Sequence, residues 1–252
     1  MSSTNSSSKA DDHCHLKGTP TTFLTFCPFS LGVFLGTAAL VAYQQRQRQQ
    51  RRSIEAEQLP VCQVVFVLGG PGAGKGTQCE LLQQKTGAWA HLSAGDLLRA
   101  ERQKGGPVCD LINARIAAGQ LVPSEVTCKL LENGMTECFR QKKITKFLID
   151  GYPRSQGNVD AWDQTMAAHT VEFVLFFECP EEVLVGRLLE RGQTSGRSDD
   201  TLAVIRKRFN TYQEESMPIV QTYQAQGKVR KIASDKPVQD VYNQVAKLFE
   251  GL

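Results

Sequence analysis

Val61-Cys62-Gln63-Val64-Val65-Phe66-Val67-Leu68 runs directly into Gly69-Gly70-Pro71-Gly72-Ala73-Gly74-Lys75-Gly76-Thr77, and this stretch decides the fold. The first part is a continuous apolar run rich in valine, the pattern of a strand buried on both faces of a parallel sheet. The second part opens a helix that the pattern carries to about residue 86. A buried strand, a glycine-rich turn and a helix in that order form the context a phosphate-binding loop requires. Glycines let backbone N–H groups turn inward around phosphate oxygens, and the helix N-terminus adds its dipole. Lys75 supplies a point charge. The strict pattern places Ser or Thr directly after the lysine, whereas here Gly76 intervenes before Thr77. That departure weakens the case for a hydroxyl ligated directly to a metal ion. A glycine-rich turn with no ligand is the alternative reading.

Outward from this stretch the chain alternates strand and helix. Short strands are predicted at 89–92, 146–150, 171–179 and 229–233. Helices fit 94–103 and 108–118, a helix begins at Pro123-Ser124 with Ser124 as its cap, and another opens at Pro180-Glu181-Glu182. A long helical pattern covers 200–226, with a bend expected at Pro218, and a last helix covers 237–249. Five strands alternating with helices imply an α/β fold with a doubly wound, five-stranded parallel sheet of the P-loop type. Trp89 and Trp162 read as core residues, and Asp96 as a helix cap.

Composition narrows the function. The 252 residues are 41% hydrophobic and 22% charged, which excludes disorder for most of the chain. Lys and Arg number 29 against 26 Asp and Glu, a net charge of +3, too even for a broad nucleic-acid footprint. The eight cysteines contain no C-x-x-C, so neither a zinc site nor a disulfide scaffold is indicated and reduced thiols are expected. The histidines offer no triad and the cysteines no evident base, which leaves covalent catalysis unsupported. A dinucleotide site is disfavoured by Lys75, because such loops lack the lysine.

Residues 1–60 read as a polar tail, an apolar stretch and a basic linker. Residues 18–45 carry no charge, and their apolar centre at 23–43 is long enough to span a bilayer, for which about 20 helical residues are needed. Pro28, Gly32 and Gly36 dilute it. A cleaved secretory segment and an organelle-targeting segment are the competing readings. Arg46, Arg48, Arg51 and Arg52 follow, and such a basic flank places the rest of the chain on the cytosolic side of any membrane. The expected location is therefore the cytoplasm or nucleus, or a membrane surface with the body facing the cytosol.

Further motifs follow in order: His91-Leu92-Ser93-Ala94-Gly95-Asp96-Leu97-Leu98-Arg99; Phe147-Leu148-Ile149-Asp150-Gly151-Tyr152-Pro153-Arg154; and Glu190-Arg191-Gly192 through Gly196-Arg197-Ser198-Asp199-Asp200. With the loop at 69–77, these resemble the nucleoside monophosphate kinases of the adenylate kinase superfamily, over residues 61–252. Ala94, the short lid and Asn158 resemble the eukaryotic UMP/CMP (uridylate) kinases most closely. The resemblance implies a kinase domain at 61–252, with a monophosphate-binding segment at 93–122 and a lid at 190–200. It implies phosphoryl transfer from ATP to UMP and CMP, with Mg²⁺ and no nucleic-acid partner, in a monomeric domain. ATP contacts are expected from Gly72, Ala73, Gly74, Lys75, Gly76, Thr77, Arg191 and the backbone near Lys236. Monophosphate contacts are expected from Ser93, Arg99, Gln120, Leu121, Val122, Gly151, Tyr152, Pro153, Arg154, Asn158, Arg197 and Arg208. Lys75, Arg154, Arg197 and Arg208 are expected to act on the transferring group, and Asp150 to hold the metal only through water.

Elementary chemistry supports these roles. Transfer between two anions demands many positive charges in one water-poor cleft, and arginine matches phosphate with a planar fork. Arg187 and Arg206 read instead as solvated helix charges. Asp150 could alternatively cap a turn, and Asp199 and Asp200 either orient lid arginines or cap the next helix. The nucleophile would be a phosphate oxygen, already largely a dianion at neutral pH, so no general base is needed. An adenylate kinase of relaxed base choice is the nearest rival. A non-catalytic, membrane-held nucleotide-binding module is a rival of another class. If Arg197 stabilises the transferring phosphoryl, Arg197→Lys should lower kcat by roughly 10²-fold or more in steady-state assays, because a point charge cannot replace the fork. A variant within about threefold of the parent would mark Arg197 as a solvated residue.

Overall fold

The computed structural model describes residues 59–194 and 201–252. The apolar stretch at 23–43 and the lid residues Arg197, Asp199 and Asp200 lie outside the described residues. Strand β1 (Gln63–Gly69) leads through the glycine-rich loop into α1 (Lys75–Thr86), and β2 (Ala90–Ser93) leads into α2 (Ala94–Arg102). Helices α3 (Pro107–Ala117) and α4 (Ser124–Lys142) precede β3 (Lys146–Asp150), α5 (Gln156–Thr165) and β4 (Thr170–Glu178). Then come α6 (Glu181–Thr194), α7 (Leu202–Thr211), a π-helical turn (Tyr212–Ser216), α8 (Met217–Ala225), β5 (Val229–Ala233) and α9 (Val238–Leu248).

The strands form one sheet in the order β2-β3-β1-β4-β5, with every pairing parallel. β1 therefore lies at the centre, as its apolar run requires. Its side chains alternate between two cores. Phe66 enters one with Tyr152 and Trp162, and Val65 and Val67 enter the other with Leu82, Trp89 and Phe249. Both tryptophans are core residues, as the sequence suggested. A third, smaller core joins Leu98 of α2, Ile112 of α3 and Val122, and gives the 93–122 segment its own packing.

Several local expectations are corrected. Ser124 is the first helical residue of α4 and not its cap; Pro123 occupies the cap position without a side-chain bond. Ser124 Oγ instead accepts from Asn158 Nδ2 at 2.8 Å. The N-cap of α2 is Ser93, whose Oγ accepts from the Asp96 N–H, so Asp96 is not the cap and its carboxylate accepts from Arg99 at 2.5 Å. Helix α5 was not expected; Ser155 caps it by accepting from the Asn158 N–H. The pattern at 200–226 breaks before Pro218, not at it. Proline offers no N–H to a preceding carbonyl, and the register widens one turn earlier, where Met217 N–H bonds the Tyr212 carbonyl. The first strand begins two residues later than expected, with Val61 left exposed.

Phe66 is fully buried on the central strand and meets Trp162 edge-on at 5.0 Å. Phe66→Ala should cost about 3–5 kcal/mol through lost burial and a residual cavity. Urea unfolding monitored by tryptophan fluorescence measures this, and a loss under about 1 kcal/mol would contradict the packing described.

Candidate active site: a cationic cleft at the carboxyl ends of the strands

β1 and β3 end side by side, Val67 pairing with Asp150. The glycine-rich loop leaves one strand, and Gly151 to Arg154 leave the other. In open α/β sheets ligands bind outside the carboxyl ends of the strands, and here a cleft of about 650 Å³ opens there. That volume suits one or two nucleotide-sized ligands.

The loop's shape follows from its glycines. Gly72 has φ +86°, and a Cβ on it would lie 2.9 Å from the Leu184 carbonyl oxygen. A side chain there would force α6 away from the loop. Helix α1 begins at Gly74, which gives no side-chain cap, so the first N–H groups of α1 remain available to a ligand. Lys75 Nζ donates to the carbonyls of Gly69 and Gly70, at 2.9 and 3.0 Å. Burial pushes the Lys75 ammonium down to about 8; Asp150 opposes that, while Arg154, Arg208 and Arg191 add to it. For Asp150, burial alone would raise the carboxyl. His91, Lys75 and Arg154 outweigh it and hold the group below its usual value. His91 Nε2 lies 3.6 Å from Asp150 Oδ2, an ion-pair separation beyond hydrogen-bond reach, and has no hydrogen-bond partner among the described residues.

Gly72, Ala73, Gly74, Lys75, Gly76, Thr77, Ser93, Arg99, Gln120, Leu121, Val122, Asp150, Gly151, Arg154, Asn158, Arg191, Arg208 and Lys236 all line this cleft. Tyr152 and Pro153 do not. Tyr152 is fully buried, donates to the Asn158 carbonyl at 2.5 Å, and stacks edge-on with Phe66. Its expected contact is therefore corrected to a packing role: an aromatic ring at the end of a buried strand has its best partners in the core. Pro153 is buried beside it, joined by a cis peptide. Asn158 is only 4% exposed and doubly fixed, its Oδ1 accepting from the Arg154 N–H at 3.0 Å and its Nδ2 donating to Ser124. A carboxamide still has a second hydrogen and a second lone pair to offer a ligand.

Arg206 is exposed, as the sequence suggested, whereas Arg187 is half-buried and lines the cleft. Its Nη1 donates to the Ser234 carbonyl at 2.9 Å. The reading of Arg187 as a solvated charge is thereby corrected. Its signal was visible as the i, i+4 spacing to Arg191, which puts both on one face of α6. Gln78, Thr127, Tyr212 and Ser216 were also missed as cleft residues. Ser216 Oγ donates to the Arg154 carbonyl at 3.0 Å, and Thr211 Oγ1 to the Gly119 carbonyl at 3.1 Å.

A glycine loop on a half-buried lysine, in one cleft with several arginines at the mouth of a parallel sheet, defines a phosphate-handling α/β protein. Residues 67–228 match the family described as adenylate kinase. The UMP-CMP kinase of Gallus gallus is 47% identical over 190 residues, covering 74% of this chain and 96% of that protein. The uridylate kinase of Saccharomyces cerevisiae is 49% identical over 183 residues, covering 72% and 88%. The UMP-CMP kinase of Homo sapiens is 46% identical over 190 residues, covering 74% and 96%. The chain belongs to the adenylate kinase family and is closely related to its eukaryotic UMP-CMP kinases. Among the described residues no helix is long and apolar enough to cross a membrane.

The depressed Lys75 value carries a pH signature. A phosphate-loop lysine meets phosphate as a cation, and in the free protein the Lys75 charge is lost as pH rises through about 8. Since kcat/KM reports the free protein, its value for ATP should fall on a basic limb near pH 8. Bound phosphates favour the charged amine, so the corresponding limb of kcat should lie at higher pH. Stability has the opposite sign: between the folded value and the usual lysine value the unfolded chain holds more protons, so stability rises with pH there. Rate profiles over pH 6–10 and thermal melts check both signs.

Proposed function

We propose that this chain catalyses ATP + UMP (or CMP) ⇌ ADP + UDP (or CDP). The observation that supports it is a single cleft lined both by Lys75 with the start of α1 and by Arg99 with residues 120–122; we read the first set as the ATP-phosphate end and the second as the monophosphate end. Arg154, Arg191 and Arg208 line the same cleft. The kinship with proteins named UMP-CMP kinase supports the base choice.

On this reading Lys75 and the loop N–H groups hold the β- and γ-phosphates, and Arg191 and the backbone near Lys236 hold the rest of ATP. Arg99 and Arg154 hold the monophosphate. Arg154, Arg208 and Arg197 neutralise the group in transfer, and Lys75 follows it. Arg154, Arg208 and Lys75 are cations already held in the cleft, a neutralisation that water could supply only by reorganising. The nucleophile is the monophosphate oxygen, so the cleft's work is alignment and neutralisation; alignment alone is worth roughly 7–11 kcal/mol. Residues 93–122, with their separate small core, act as a mobile clamp, and residues 190–200 act as the lid that excludes water.

Family membership implies Mg²⁺-ATP. The chain fits this: Asp150 is a buried carboxylate held ionised next to the loop, within 3.6 Å of a Cβ built on Gly76. Among the described residues there is no cluster of three metal-ligating side chains, and Mg²⁺ on nucleotides commonly takes one or two carboxylates and keeps its waters. Asp150 would therefore hold it through water, and the bound ion would supply further neutralisation of phosphate charge. Residues 23–43 are read as a membrane-attaching segment with the kinase domain on the cytosolic side, and the domain as monomeric.

Asn158 is the base reader in this scheme, because its amide is held in one orientation by two bonds and faces the monophosphate end. Steady-state assays should give kcat/KM for UMP and CMP above that for AMP, with Asn158→Ala lowering the pyrimidine values by roughly 10- to 100-fold. Equal or better turnover of AMP by the parent would refute the pyrimidine preference and leave the kinase assignment standing.

A further inference from the structure

Gln78 is 4% exposed, next to the phosphate loop on the first turn of α1. Its Nε2 donates to the Val238 carbonyl at 2.9 Å, a contact across 160 residues of chain. A carbonyl only accepts, so this bond fixes the amide's orientation and leaves Oε1 on the other side. There Oε1 is buried without a hydrogen-bond partner among the described residues. A buried unsatisfied acceptor is costly and calls for an explanation other than stability.

The explanation lies in what Val238 belongs to. Ser234-Asp235-Lys236-Pro237 is the turn between β5 and α9, and Val238 is the first residue of α9. Its far end is held by Arg187, whose Nη1 donates to the Ser234 carbonyl at 2.9 Å. Ser234 itself is 3% exposed and gives both its N–H and its hydroxyl to the Glu178 carbonyl, at 2.8 and 3.1 Å. The turn is thus strapped at one end from the helix that starts at the phosphate loop and at the other from the helix that carries Arg191. Gln78, Arg187, Ser234, Lys236 and Val238 all line the cleft. Between the straps, the carbonyls of Asp235 and Lys236 receive no hydrogen bond from the described residues. Val238 presents an apolar side chain that is 52% exposed. An apolar plate beside open acceptor carbonyls fits an aromatic base with an amino donor.

We propose that Gln78 and Arg187 are positioning residues that hold the 234–237 turn and the start of α9 in register with the phosphate loop, so that the base and the phosphates of the donor nucleotide are bound at one fixed spacing. The proposal rests on the reading of this cleft as the site of ATP. Neither side chain touches the reacting atoms. Arg187 acts through a main-chain carbonyl of the turn and Gln78 through that of the first residue of α9, and the unpaired Oε1 is tolerated because Nε2 must face Val238.

The test uses Gln78→Met, which keeps the volume and removes both the strap and the unpaired acceptor, together with Arg187→Met and the double variant. The probes are ATP and ITP, which differ at the amino group. Each single variant should raise KM for ATP by roughly 3- to 10-fold, the worth of one hydrogen bond. The preference for ATP over ITP should shrink, while kcat at saturating ATP and KM for UMP hold. The melting midpoint of Gln78→Met should not fall. Because both straps hold one turn, the double variant should depart from the product of the single effects. Calorimetric binding of ATP without UMP should show the same losses. An unchanged KM and calorimetric affinity for ATP, with a lowered melting midpoint, would reduce both residues to structural roles and overturn the proposal. Should Gln78→Met not fold, Arg187→Met decides by the same readouts. A parent that binds ATP but transfers nothing to UMP would refute the proposed reaction instead, and the calorimetric comparison would still judge the straps.

Discussion

The structure depends on keeping a lysine charged in a half-buried place at the foot of the cleft. Desolvation of Lys75 and three nearby arginines all favour its neutral form. The protein answers with two main-chain carbonyls and one carboxylate. Gly69 and Gly70 accept from the ammonium, and a Cβ on either would instead press on Phe177 or Leu184. Asp150 sits close enough to oppose the loss of the proton, and is itself kept ionised by His91, Lys75 and Arg154. That pairing needs β1 and β3 to be neighbours with matched ends, so the sheet order is a condition of the chemistry.

The helical stretch from the end of α7 onward ties the cleft's separate walls together. The π-helical turn at Tyr212–Ser216 widens the helix next to the cleft. Ser216 then bonds the carbonyl of Arg154, and Thr211, just before the turn, bonds the carbonyl of Gly119. Gly119 has φ +70°, and a Cβ on it would lie 2.9 Å from Lys207 Cβ. One stretch of helix therefore bonds both the arginine that follows β3 and the turn at Gly119 after α3. π-turns of this kind concentrate at functional sites because they re-aim side chains that an α-helix would face elsewhere.

Where local pattern set the outcome, the sequence was readable. The valine run gave a central strand, the glycine loop gave a helix start without a side-chain cap, and Trp89 and Trp162 went to the core. Boundaries and caps were less readable. Ser124 looked like a helix cap because serine before an apolar run usually is one. Its hydroxyl was instead taken by Asn158, 34 residues away. Helix α5 was hidden because it starts two residues after the motif that ends at Arg154, with no apolar run to mark it.

What the sequence determined by itself was the chemistry within a few residues of each motif: a phosphate loop after a buried strand, arginines at fixed spacing, a carboxylate at a strand end. Those features are local because backbone turns and helix faces are set by neighbours in the chain. The tertiary structure alone decided which of the named residues share a cleft. It sent Tyr152 into the core while Arg154 stayed at the mouth, and turned Arg187 from a surface charge into a strap. It also joined Gln78 to Val238 across 160 residues. Contacts at that separation depend on the order and twist of the whole sheet, and no short window of sequence contains that order.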